Sequence, residues 1–295
     1  MKKLLFIYNT HAGKGLLRSR MAGVLEELCA QWDVTVHPTT GPGDATAVAR
    51  ARAGEFDRIV CSGGDGTLQE VVEGIMEGEA RPEIGYIPGG TTNDFARNLS
   101  LPRGMVAAAA TAAAGVPRPV DIGSFNGACF VYVAAFGAFT DVAYNTPQQF
   151  KNALGHLAYV MEGATRLSSI RSYPMTVEHD GGVEKGSYCY GMVSNTVSVG
   201  GFKGTPTQPV ELDDGLFEVL LVRQPQNAAQ LQAVLKALLT MSPDEQGLVI
   251  SYRTSRRKIV CEEAMPWTLD GEFGGDHKAA EIVNRHNAVT IVYGK

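Results

Sequence analysis

The sequence predicts an α/β chain, with a parallel sheet in the first third and a mainly antiparallel, β-rich second domain. Three observations carry this reading. Up to about residue 97, short apolar runs alternate with stretches of helical periodicity, which is the pattern of βαβ units and a parallel sheet. Glycine-rich loops recur where those early apolar runs end, and in parallel sheets ligands sit beyond the carboxyl ends of the strands. Beyond Val120-Asp121-Ile122-Gly123 the text becomes one of strands separated by turn signals. The predicted domains are residues 1–122 and 123–287, with a terminal strand over 288–295 that suits either one.

In order, Leu4 to Tyr8 reads as the first strand, Asn9 to Gly15 as a small-residue loop and Leu16 to Trp32 as a helix. Asp33 to His37 is a strand, Asp44 to Gly54 a helix and Arg58 to Cys61 a buried strand. The helix from Leu68 to Gly78 follows Ser62-Gly63-Gly64-Asp65-Gly66-Thr67, and the strand Ile84 to Ile87 leads into Pro88-Gly89-Gly90-Thr91-Thr92-Asn93-Asp94. Met105 to Gly115, mostly alanine, reads as a helix. In the second domain, strands are predicted at Cys129 to Ala135, Met175 to His179, Tyr188 to Asn195, Leu216 to Val222, Lys258 to Glu262 and Ala288 to Tyr293. Asp180-Gly181-Gly182 is a hairpin turn, and helices are predicted at Gln148 to Leu167 and Ala228 to Leu239.

With 295 residues, 44% hydrophobic and 19% charged, the chain is long enough for two globular domains. A net charge of −5 gives no case for nucleic-acid binding. Five widely spaced cysteines without a C-x-x-C pair argue against a disulfide framework or a zinc site and for a reducing cytosol. The apolar run after Lys2-Lys3 is too short for a signal peptide, and no segment is long and apolar enough to span a bilayer. A cytoplasmic protein that meets a membrane only from its surface is the expectation.

Gly63-Gly64-Asp65-Gly66-Thr67 has two readings. One is a tight turn. The other is a phosphate cradle, in which glycines allow close backbone approach, helix-start N–H groups face the anion and Thr67 caps the helix. Asp65 favours a metal–nucleotide, because a carboxylate beside phosphate needs a cation between them. The convergence of three loops at one sheet edge supports the nucleotide reading. Neither a Walker A pattern nor G-x-G-x-x-G is present. In the second glycine loop Asn93-Asp94 is read as the cap of the next helix. Oxygen-only candidates without a Cys or His cluster suit Mg²⁺.

These two motifs together resemble the diacylglycerol kinase catalytic family, in particular its soluble bacterial lipid kinases. Further segments extend the likeness over nearly the whole chain: Thr39-Thr40-Gly41-Pro42-Gly43-Asp44-Ala45, Leu212-Asp213-Asp214-Gly215-Leu216-Phe217 and Leu269-Asp270-Gly271-Glu272. The resemblance implies a nucleotide domain akin to those of NAD kinases and phosphofructokinases, a β-sandwich-like second domain, and a site in the cleft between them. It implies that Asn9, Thr10, His11, Ala12, Gly13, Thr39, Gly64, Asp65, Gly66, Thr67, Leu68, Gln69, Glu70 and Thr91 line ATP. Glu211, Asp214 and Leu216 would hold Mg²⁺, and Glu272 would accept the proton of a lipid hydroxyl. Asp65, Asp94 and Asp121 would complete an acidic catalytic network.

From the residues alone Asp270 and Glu272 remain alternative bases, since they share a face on a strand but not in a turn. Gln69 stands where the family usually has asparagine, and Val199 to Gly204 matches only loosely. The implied partners are ATP, a lipid alcohol and the inner membrane surface, with a homodimer as a further expectation. Arg253-Thr254-Ser255-Arg256-Arg257-Lys258 is a candidate contact for anionic headgroups; a solvated strand end is the other reading. A water-soluble acceptor such as NAD, or a non-catalytic nucleotide-binding regulator, are the alternatives to a lipid kinase.

Overall fold

The computed structural model describes residues 1–12, 16–90, 93–137, 171–196, 198–199, 202–203, 211–240 and 246–294. The chain is a mixed α/β fold and divides into two compact units, 1–122 with 286–295, and 123–285.

The first unit contains β1 (Lys2–Tyr8), α1 (Leu16–Cys29), β2 (Trp32–Pro38), α2 (Asp44–Arg52), β3 (Arg58–Gly63), α3 (Asp65–Glu77), β4 (Glu83–Pro88), α4 (Asp94–Asn98) and α5 (Met105–Ala114). β1 pairs in parallel with β2 and β3, and β3 with β4. Every residue of β3 is buried, as expected for a strand covered on both faces. Ala108, Ala109, Ala112 and Ala113 are the buried side of α5. Small side chains are needed there, since a Cβ on Gly85 of β4 would lie 2.9 Å from that of Ala112.

Arg58 explains how a charge is tolerated in this core. Its Nη1 donates to the carbonyls of Ala112 (2.6 Å) and Ala113 (2.8 Å) at the end of α5, and its Nε to Glu83 (2.9 Å). The Trp32 indole lies under the guanidinium at 4.6 Å and donates Nε1–H to the Ala113 carbonyl at 3.0 Å. This role places Trp32 at the start of β2, whereas helical periodicity had extended the first helix through it.

The second unit is antiparallel. It contains the end of β5 (Val116–Phe125), β6 (Ala128–Phe130), β7 (Val133–Gly137), β8 (Tyr173–His179), β9 (Gly182–Ser194), β10 (Ser198–Val199), β11 (Phe202–Lys203), β12 (Phe217–Arg223), α6 (Ala228–Thr240), β13 (Val249–Thr254), β14 (Arg256–Leu269) and the first part of β15 (Glu272–Tyr293). β9 pairs with β7, β8 and β12, and β14 with β7, β8 and β15. The core centres on Trp267, with Phe125 and Phe136 at 4.8 and 4.9 Å.

Several expectations change. The strand expected at 129–135 is two strands, because the backbone N–H groups of Val131, Tyr132 and Val133 turn to the Asp270 carboxylate. The strand expected at 258–262 is the middle of β14. The strand expected at 288–293 is the end of β15, whose Ile291 pairs in parallel with Ile84 in the first unit. The polar alternation of residues 276–287 hid the rest of that strand, and β13 was not anticipated. The helix expected at Gln148 to Leu167 lies outside the described residues.

Candidate active site

In the first unit, two glycine loops meet backbone to backbone. The Gly89 N–H donates to the Gly63 carbonyl at 2.7 Å. A Cβ on Gly90 would lie 2.5 Å from the Gly64 Cα, so only glycine permits this approach. Asn93 staples the second loop: its Oδ1 accepts from Gly90 N–H (2.9 Å) and its Nδ2 donates to the Gly90 carbonyl (2.8 Å). It precedes α4 in the left-handed region, φ 50°, and makes no side-chain cap of that helix. The cap comes instead from Asp65, which accepts the N–H groups of Asp94 (3.0 Å) and Phe95 (3.3 Å). Thr67 likewise does not cap α3. Gly64 stands at that N-terminus in an extended conformation with no side-chain hydrogen bond, which leaves the helix start open toward an anion.

Burial pushes the Asp65 carboxyl up to about 6, the hydrogen bonds from Asp94 and Phe95 opposing it only in part. Asp94 is also raised by burial, against the pull of Arg97. Its Oδ1 is buried without a hydrogen-bond donor, 3.6 Å from the Arg97 guanidinium.

The other implied nucleotide residues differ in what they offer. Asn9 donates its N–H to the Ser62 carbonyl (2.8 Å), and its Oδ1 accepts the His11 N–H (2.8 Å), folding Asn9, Thr10, His11 and Ala12 into a turn. Thr39 donates its N–H to the Tyr8 carbonyl at 2.9 Å. Asp44 holds the adjoining loop by accepting the Thr40 N–H (2.7 Å), which keeps its carboxyl low. Leu68 is buried in the core, leaving its backbone as its only contribution, while Gly66 and Gln69 are partly exposed. Glu70 is committed elsewhere: its carboxylate accepts the N–H groups of Gly43 (3.0 Å) and Ala45 (3.2 Å) and caps α2. Gly13 and Thr91 lie outside the described residues. Asp121 is fully buried, and its Oδ1 accepts the Asn287 N–H at 2.7 Å.

In the second unit, Asp270 and Gly271 form a two-residue turn, φ 50° and 90°, between Leu269 and Glu272. The turn separates the two candidate bases. Asp270 is buried, with Oδ2 accepting from Val131 N–H at 2.5 Å and Oδ1 from Tyr132 and Val133 N–H, both at 2.9 Å. Glu272 is exposed. Asp214 Oδ1 accepts the Leu216 N–H at 2.9 Å and its Oδ2 pairs with Arg253, whose Nε lies 3.3 Å from Glu218. Burial pushes Glu218 up to about 7, against the pull of Arg253. Glu211 is exposed. Among the described residues no group of three or more His, Cys, Asp or Glu is arranged to hold a metal ion. Sequence reasoning missed Asn93 as a staple and the Arg253–Glu218 pair, because each depends on partners brought by another strand or loop.

The basic stretch does not stand free. Arg253 pairs with Asp214 and Glu218, Arg256 with Glu281, and Arg257 is buried; Lys258 is exposed. No described helix is long and apolar enough to cross a membrane.

A family model, the diacylglycerol kinase catalytic domain, matches residues 3–125. The class is therefore that of the lipid kinases. A diacylglycerol kinase of Bacillus subtilis (strain 168) is 37% identical over all of this chain and 97% of its own length. One from Staphylococcus carnosus (strain TM300) is 34% identical over 93% of the chain and 90% of its own. The crystal structure of a diacylglycerol kinase from Bacillus anthracis str. Sterne matches with a TM-score of 0.79 at 25% identity, covering 99% of this chain and 97% of that one. At such identity over its whole length, the chain belongs to the diacylglycerol kinase family.

Proposed function

We propose that this protein transfers the γ-phosphoryl group of ATP to the hydroxyl of a lipid alcohol, diacylglycerol or a close relative, with Mg²⁺ as cofactor. The observation that carries this reading is the open N-terminus of α3, set between two interlocked glycine loops and beside the Asp65–Asp94 carboxylate pair. The first unit is read as the NAD kinase-like nucleotide domain and the second as the β-sandwich-like lipid domain.

Two raised carboxyls, one with an oxygen that no donor satisfies, fit a divalent cation better than they fit each other. Asp65 and Asp94 would hold Mg²⁺ there, with Asp121 in the same acidic network. Glu211, Asp214 and the Leu216 carbonyl offer a second oxygen-only set, where Arg253 already shares Asp214. When bound, the cation supplies neutralisation of the charge that spreads over the transferring phosphoryl group.

The chain's own groups do the rest. Helix-start N–H groups of α3 and the backbone of the glycine loops orient phosphate oxygens. Glu272, exposed and free of the backbone ties that hold Asp270, accepts the proton of the lipid hydroxyl, an effect typically about 10²–10⁴-fold. The enzyme works at a membrane surface without spanning it, on the cytoplasmic side, and a homodimer is compatible with this.

The test is incubation with labelled ATP, Mg²⁺ and a total lipid extract. Label is expected in a phosphorylated lipid in the organic phase. Label found only in a water-soluble product such as NADP would replace the lipid acceptor with a soluble one.

A further inference from the structure

Glu70 lies in the second turn of α3, and both of its oxygens are spent on the start of another helix. α2 follows Gly43, whose left-handed backbone, φ 79°, brings no side chain to cap it. The cap comes from α3: Glu70 Oε1 accepts the Gly43 N–H at 3.0 Å and Oε2 the Ala45 N–H at 3.2 Å. Asp44, between them, turns the other way. Its Oδ2 accepts the N–H and the hydroxyl of Thr40 at 2.7 and 3.0 Å and faces His37 Nε2 at 3.3 Å. The loop from Thr39 to Gly43, which leaves the carboxyl end of β2, is thus tied to β1 through Thr39 and to α3 through Gly43.

The rest of the seam between α2 and α3 sets this contact apart from ordinary helix packing. Glu70, Glu73 and Glu77 recur at helical spacing, so they share one face of α3. Glu73 takes the Thr46 hydroxyl at 3.5 Å, and Glu77 pairs with Arg50 at 3.0 Å, both side chains on the body of α2. A Cβ on Gly74 would lie 2.3 Å from the Thr46 carbonyl oxygen and 2.9 Å from the Ala49 Cβ, so the helices meet there at backbone distance. That contact, with Ala45 and Ala49 buried, already fixes the two helix bodies against each other. Glu70 does something further. It grips backbone N–H groups at the loop end of α2, about 8 Å along the axis from the start of α3. A carboxylate suits this place, since it accepts two N–H donors at once and stands at a positive helix end.

We propose, taking ATP to bind at the glycine loops, that Glu70 is a positioning residue that does not touch the nucleotide. It sets the distance between the loop from Thr39 to Gly43, on the nucleoside side, and the phosphate cradle at the start of α3. Its loss lets that loop drift while the cradle, held by Gly63, Gly89, Asn93 and Asp65, keeps its form. A ligand that spans both parts is weakened, and one that uses only the cradle is not. The competing role is a direct bond from the Glu70 carboxylate to a ribose hydroxyl.

The experiment uses the full chain. Calorimetry measures binding of ATP, 2′-deoxy-ATP, 3′-deoxy-ATP and tripolyphosphate, each with Mg²⁺, to wild type, Glu70→Ala, Glu70→Gln and Glu77→Gln. Glu70→Ala is expected to bind ATP about tenfold more weakly, the worth of one misplaced hydrogen bond, with tripolyphosphate within about twofold of wild type. Glu70→Gln keeps one acceptor for the two N–H groups and is expected to fall between wild type and Glu70→Ala for ATP. Glu77→Gln breaks an exposed ion pair at the far end of the seam and is expected to leave every ligand unchanged. Both deoxy analogues are expected to lose the same factor as ATP in Glu70→Ala. An analogue that binds wild type and Glu70→Ala alike would assign a direct ribose contact and overturn the positioning role. The same ATP loss in Glu77→Gln, equal loss of ATP and tripolyphosphate in Glu70→Ala, or no loss of either would overturn it too. No saturable ATP binding in wild type overturns the nucleotide reading itself, a result distinct from any difference among the variants.

Discussion

Asp65 caps the helix that begins at Asp94, accepting the Asp94 N–H at 3.0 Å with one oxygen and the Phe95 N–H at 3.3 Å with the other. One glycine loop thus supplies the cap for the helix that follows the other. The same contact draws two aspartates together in a half-buried setting, where both hold their protons more tightly than they would in water.

The first consequence concerns pH. The folded-state pKa of Asp65 is about 6, above the ordinary aspartate value of 3.8, so the folded chain binds the proton more tightly than the unfolded one. Its contribution is therefore most favourable below pH 4 and declines as pH rises through 6, by about 3 kcal/mol in all. Asp65→Ala is expected to abolish phosphoryl transfer, and to decline less in stability than wild type between pH 4 and 7. Urea unfolding at several pH values checks this; parallel declines in the two proteins would exclude it.

Asp270 and Glu272 are expected to part company on substitution. Asp270→Ala leaves three backbone N–H groups without their acceptor and is expected to cost about 3 kcal/mol or more. Glu272→Gln removes an exposed carboxylate, so its unfolding midpoint is expected to stay that of wild type while kcat falls about 10²–10⁴-fold. Thermal unfolding alongside steady-state kinetics separates these roles. Full activity in Glu272→Gln would remove it as the base.

Gly90→Ala is expected to force the two glycine loops apart, since the added carbon would lie 2.5 Å from the Gly64 Cα. The strain is of the overpacking kind, about 1–3 kcal/mol. Because the loops carry the proposed phosphate contacts, KM for ATP is expected to rise as well, measured by kinetics at saturating lipid. An unchanged KM would place ATP elsewhere.

Arg253→Met is expected to leave Asp214 and the buried Glu218 without their cation, destabilising the fold by about 3 kcal/mol at pH 8. Glu218, already raised to about 7, should protonate more readily in the variant, so the loss shrinks on acidification to pH 6. Chemical unfolding at the two pH values reads this difference directly.

Local physics is written along the chain, and much of the first unit follows from it. Apolar runs, helical periodicity and the glycine loops at strand ends mark β1, β3, β4 and the positions of Asp65 and Asp94 without any knowledge of contacts. In the second unit the same rules found the Asp180-Gly181 turn but lost most of β15, where residues such as Asp276, His277 and Lys278 show no apolar rhythm.

The order of elements, the glycine loops and the candidate carboxylates can all be read along the chain. Which of those carboxylates are already engaged depends on partners that folding supplies. Asp270 is filled by N–H groups 137 to 139 residues away, and Glu70 by groups 25 and 27 residues away. Glu272, two residues from Asp270, is left exposed. Arg257, which reads as one more surface charge in a basic run, lies in the core with its donors unmet. The reason is physical: a polar group's character depends on the partners that folding brings to it, and those partners come from distant strands whose register no local pattern records.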